Sequence, residues 1–93
     1  MSTLLKNLFD YLFKKRSLEF LGRAGLNCYY NSEKFFIDSE MLVGPPSDII
    51  IYSDRIYLIK SGEKYAVDEN TRINVLTFLK SELEKQKIKF EIS

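Results

Sequence analysis

Asp38 and Glu40 stand two residues apart within FFIDSEMLVGPPSDIIIY, residues 35–52, flanked by apolar runs. On a strand, two carboxylates at that spacing point the same way and lie roughly 7 Å apart. Such a pair could hold a magnesium ion or share acid–base work, and Asp48, beyond Gly44-Pro45-Pro46, could bring a third carboxylate. The pair could instead keep the solvent side of an edge strand wet and block edge-to-edge pairing. A third role is a protein-binding face. Asn27, Tyr29, Phe36, Asp38 and Glu40 would project from one side of a hairpin, with Asp48 across the loop. Aromatic anchors ringed by acids suit a basic partner.

Other chemistry is poorly supplied. The chain has no histidine and one cysteine, Cys28. The commonest general base and metal ligand are therefore missing, and no Ser/His or Cys/His pair or zinc site can be assembled. The glycines at 22, 25, 44 and 62 form no phosphate-binding loop, so neither a cofactor nor a metal is expected. Cys28, between Leu26 and Tyr30 in strand alternation, reads as a buried small hydrophobe. Arg23, between two glycines, reads as an exposed loop residue.

The elements that would position these residues follow from periodicity. Leu4, Leu5, Leu8, Phe9, Leu12 and Phe13 recur at helical spacing and predict an amphipathic helix over residues 3–15. Leu26–Tyr30 and Phe35–Ser39 read as strands joined by a polar loop, Asn31–Lys34. Period two places Leu26, Cys28, Tyr30, Phe35, Ile37, Ser39 and Met41 on one face, and Asn27, Tyr29, Phe36, Asp38 and Glu40 on the other. Asp48–Tyr52 and Arg55–Lys60 read as two further strands divided by Ser53-Asp54, with a short edge strand at Tyr65–Val67. Asp68 reads as the N-cap of a helix running to about Lys85, and Ile88, Phe90 and Ile92 alternate as a last strand.

This order predicts one α+β domain over residues 1–93, a mostly antiparallel sheet of about 5–6 strands with two helices. Its parts are the N-terminal helix (1–16), strands and hairpins (17–67), a helix (68–86) and the final strand (87–93).

The 45% hydrophobic and 14% aromatic content fit a folded globule rather than a disordered tail. Net charge is +1, without the basic excess expected of a nucleic-acid binder. The charge is uneven: residues 31–54 carry net −4, between segments of +3 and +2. No apolar run approaches the ~18 residues of a membrane span, and the N-terminal stretch lacks a secretory pattern. A cytoplasmic bacterial protein is expected, contacting neither nucleic acid nor membrane.

The succession GLNCYY, FFIDSEML, GPPSDIIIYSDRI, a helix and a closing IKFEIS resembles the immunity protein 74 family of polymorphic toxin systems, over residues 20–92. The resemblance implies a bacterial cytoplasmic protein encoded beside a toxin. It would bind the toxin's C-terminal domain, a nuclease being one candidate, and block its active site or substrate path, with no reaction of its own. The residues expected at that contact are Asn27, Tyr29, Phe36, Asp38, Glu40 and Asp48. The alternative is a structural or regulatory module that forms a homodimer through a sheet edge or the first helix.

Overall fold

The computed structural model describes residues 17–44 and 46–93. The helix expected over residues 3–15 lies outside them. Among the described residues, six strands form one sheet: β1 (Leu18–Phe20), β2 (Leu26–Tyr30), β3 (Glu33–Met41), β4 (Ile49–Lys60), β5 (Glu63–Ala66) and β6 (Phe90–Ile92). β1 to β5 follow each other across the sheet, every pair antiparallel. The α-helix α1 (Glu69–Lys85) returns the chain so that β6 pairs parallel with the first half of β4. β5 and β6 therefore share one edge of β4, β5 beside Tyr57–Lys60 and β6 beside Ile49–Ile51.

The β2–β3 connection is tighter than the four-residue loop expected. Tyr30 pairs directly with Glu33, leaving only Asn31 and Ser32, at φ +53° and +65°. A two-residue turn with both residues left-handed matches the twist of the strands it joins. Ser61-Gly62 does the same between β4 and β5, at φ +51° and +77°.

The largest departure lies in β4. The two strands expected on either side of Ser53-Asp54 are one continuous strand of 12 residues. Its register on β3 jumps from Ile37↔Ile56 to Ser39↔Ile51. Asp38 alone spans on β3 what Tyr52-Ser53-Asp54-Arg55 span on β4. The Ser53 N–H and Oγ both donate to the Ser93 carbonyl, at 3.1 and 2.9 Å. Arg72 on α1 donates to the Ser53 carbonyl at 3.0 Å. These bonds satisfy backbone groups that a bulge would otherwise leave unpaired.

α1 begins where its cap predicts. The Asp68 carboxylate accepts from the Thr71 N–H at 2.7 Å, a contact contributing about 1 kcal/mol. Val75, Leu79 and Leu83, one turn apart, are fully buried against the sheet. Beneath them lie Leu18, Leu26, Cys28, Phe35, Ile37, Ile49, Ile51 and Ile56. Strand alternation thus assigns most of the core face as the sequence pattern requires; Met41, expected on it, is 47% exposed. Ile73, also on α1, stays 47% exposed.

Cys28 sits in this core, and burial, with a smaller contribution from Glu82, pushes its thiol up from 9.0 to about 12. Protonated Cys28 is therefore favoured by the folded state. That contribution is complete below pH 9 and is lost as pH rises from 9 toward 12. Urea denaturation at successive pH values should show the wild type losing more stability above pH 9 than Cys28→Ala does. Parallel curves for the two proteins would contradict this.

Candidate partner-binding face

α1 covers one face of the sheet. The other carries Asn27, Tyr29, Lys34, Phe36, Asp38 and Glu40 from β2 and β3, and Tyr57 directly across from Phe36. Strand alternation brings Asp38 and Glu40 to this face together, as their spacing requires.

Each carboxylate has a partner from the bulged part of β4. Arg55 Nη1 lies 3.2 Å from Asp38 Oδ2, and the Tyr52 hydroxyl donates to Glu40 Oε2 at 3.1 Å. The Arg55 guanidinium also lies 5.1 Å from the centre of the Tyr52 ring. The bond to Glu40 is the leading reason that the Tyr52 hydroxyl resists ionisation. The Arg55–Asp38 pair is half-exposed and contributes at most about 1 kcal/mol. With Arg23, Ser39 and Met41 these residues line an open hollow of about 560 Å³. Arg23, expected as a simple loop residue, is exposed and reaches this hollow.

Phe36 is held more tightly than a free anchor would be. Lys64 Nζ sits 4.2 Å from the centre of its ring and 5.6 Å from that of Tyr57. The ring also approaches Gly25, at φ +119°. A Cβ there would stand 2.7 Å from Phe36 Cζ and 2.8 Å from the Ile37 carbonyl oxygen. Only glycine allows so close an approach at that backbone angle.

No family model, curated protein or solved structure matches this chain.

Of the six residues expected at a partner contact, Tyr29, Phe36, Asp38 and Glu40 share this face. Tyr29 is 42% exposed, and its hydroxyl donates to Glu19 Oε1 at 3.3 Å. Asn27 lies on the same side but is only 6% exposed; its Nδ2 donates to Glu19 Oε1 at 2.9 Å. That bond is the main cause holding the Glu19 carboxyl below its usual range. Asn27 thus positions Glu19 and Tyr29, and Glu19 joins the face as a residue the sequence reading missed.

Asp48 has a structural task. Its carboxylate accepts the Lys89 N–H at 3.0 Å, while its own N–H donates to the Lys89 carbonyl at 2.8 Å. This clamp sets the register in which β6 meets β4, so Asp48 does not join Asp38 and Glu40 in a three-carboxylate site. Among the described residues, no group of three or more acidic or cysteine side chains is placed to hold a metal ion. No helix among them is long and apolar enough to cross a membrane. Arg55, Tyr52 and Lys64, like Glu19, were unpredicted members of the face. For Arg55 and Tyr52 the only sequence signal was their place beside Ser53-Asp54, which reads as a turn.

Proposed function

We propose that this chain is an immunity protein, a binding module that neutralises a toxin domain encoded beside it. The open face of its sheet would cover that domain's active site or substrate path, in the cytoplasm of the producing cell. The observation that supports this reading most is the mixed aromatic and charged surface opposite α1. There Tyr29, Tyr52 and Arg55 stand on paired strands, joined by exposed side-chain bonds to Glu19, Glu40 and Asp38. Tyrosine and arginine are the side chains that most often dominate binding energy at interfaces, and strands fix them in place before contact. The net charge of −4 over residues 31–54 would favour approach of a basic partner.

The reading is tested by growth rescue. The C-terminal toxin domain encoded next to this chain is expressed under tight induction, with and without the chain. Rescue by the wild type is expected. Asp38→Lys with Glu40→Lys should abolish it while circular dichroism shows the fold unchanged. Tyr29→Ala should weaken the purified complex by about 2 kcal/mol, roughly 30-fold in Kd. Rescue that survives the double charge reversal would place the contact elsewhere. Failure of the wild type to rescue would refute the immunity reading.

A further inference from the structure

β5 ends the sheet opposite β1. One side of it pairs with β4, its outer side pairs with no described strand, and Glu63 to Ala66 are all exposed. The two-residue turn makes Lys60 and Glu63 exchange both their bonds, and Leu58 and Tyr65 form the next such pair. The N–H and C=O groups of Lys64 and Ala66 therefore point outward.

A lysine on an edge strand usually guards it against other strands. Lys64 is instead turned onto the Phe36 and Tyr57 rings. Glu63 accepts the Tyr65 hydroxyl at 2.8 Å. The Tyr65 ring stands 46% exposed at this edge.

We propose that this edge is a self-association surface, on which β5 pairs antiparallel with β5 of a second copy about a two-fold axis at Tyr65. A two-fold axis normal to the sheet keeps the faces of both copies continuous, so only residues of like face meet. Two such registers overlap three residues of each strand. One sets Lys64 opposite Lys64, where like charges oppose pairing. The other sets Tyr65 opposite Tyr65 and Lys64 opposite Ala66. It forms four backbone hydrogen bonds, two between each Lys64 and the facing Ala66. It also brings the two exposed tyrosine rings together as a close cross-strand pair. Self-complementarity in this register is what selects a second copy over an unrelated extended segment. An edge this short buries less than the ~800 Å² per partner of standard interfaces, so the dimer is a weak, micromolar one. The partner-binding face, on the flat of the sheet, remains free in it.

Sedimentation velocity on the full chain from about 1 to about 500 µM, spanning micromolar affinity, should show the mass double. Tyr65→Lys, which opposes two charges at the axis, should keep the chain a monomer throughout, and Tyr65→Phe should retain the dimer. As a readout on the unaltered chain, amide exchange at Lys64 and Ala66 should slow at least tenfold between the two concentrations, while Ser32 does not change. A monomer at the highest concentration, a dimer that Tyr65→Lys leaves intact, or unchanged exchange at Lys64 and Ala66 would overturn the proposal. The first of these outcomes would leave the edge to a segment of another protein.

Discussion

Gly25→Ala should destabilise the protein by about 3 kcal/mol, more than a surface substitution ordinarily does. Two causes act together. Gly25 has φ +119° and ψ −154°, a region that side-chain-bearing residues essentially do not enter. The added Cβ would also fall 2.8 Å from the Ile37 carbonyl oxygen and 2.7 Å from the Phe36 ring. The ring could swing aside; the carbonyl, held in a paired strand, could not. For a domain of this size the midpoint of thermal unfolding should fall by roughly 12–24 °C. Gly22→Ala is the matched control. Gly22 also has positive φ, at +65°, yet nothing lies within 4 Å of the added atom, so about 1 kcal/mol is expected. Equal losses for the two variants would show that contact with Phe36 and Ile37 has no energetic weight. The substitution should also loosen the candidate face, because Phe36 packs directly on Gly25.

Leu79→Ala should cost about 2–5 kcal/mol by leaving a cavity between α1 and the sheet. Leu79 is fully buried, with Val75 and Leu83 one turn to either side in the same cluster. The cavity would open over the middle of the core, where close packing leaves neighbours little room to relax. Ile73→Ala on the same helix is the comparison. Its side chain is 47% exposed, and a change of less than about 1 kcal/mol is expected there. Equilibrium unfolding in urea separates the two. A small effect at Leu79 would mean that α1 is not the lid of this core.

The sequence was most readable where a signal is local. Asp68 and Thr71 marked the start of α1 because a cap is a contact over three residues. Alternation told apart the two faces of β2 and β3 because side-chain direction depends only on parity. β4 was misread because Ser53-Asp54 is turn-like in type. What keeps these residues in a strand comes from Arg72 and Ser93, 19 and 40 residues away. The candidate face suffered similarly. Asp38 and Glu40 were legible as a pair, but their contacts with Arg55 and Tyr52 exist only because the bulge re-aims β4. Asn27 read as a surface residue because polarity and parity both pointed there; its burial depends on Glu19 from β1. Asp48 read as a free acid because its partner is the backbone N–H of Lys89, and a backbone donor leaves no trace in residue type.

The shared edge of β4 has a consequence for the order in which the protein takes shape during synthesis. β1 to β5 are joined by short connections, so each can pair with its predecessor soon after it leaves the ribosome. The stretch Ile49–Ile51 cannot be completed that way. Its second neighbour begins at Phe90, and the Asp48–Lys89 clamp that aligns the two spans 41 residues. At translation speeds of about 5–20 residues per second, this isoleucine-rich edge waits roughly 2–8 s for its partner. A nascent chain slowed between Ala66 and Phe90 would hold a sticky strand open for longer. Codon-level slowing in that interval should therefore lower soluble yield, whereas the same delay placed before Ile49 should not.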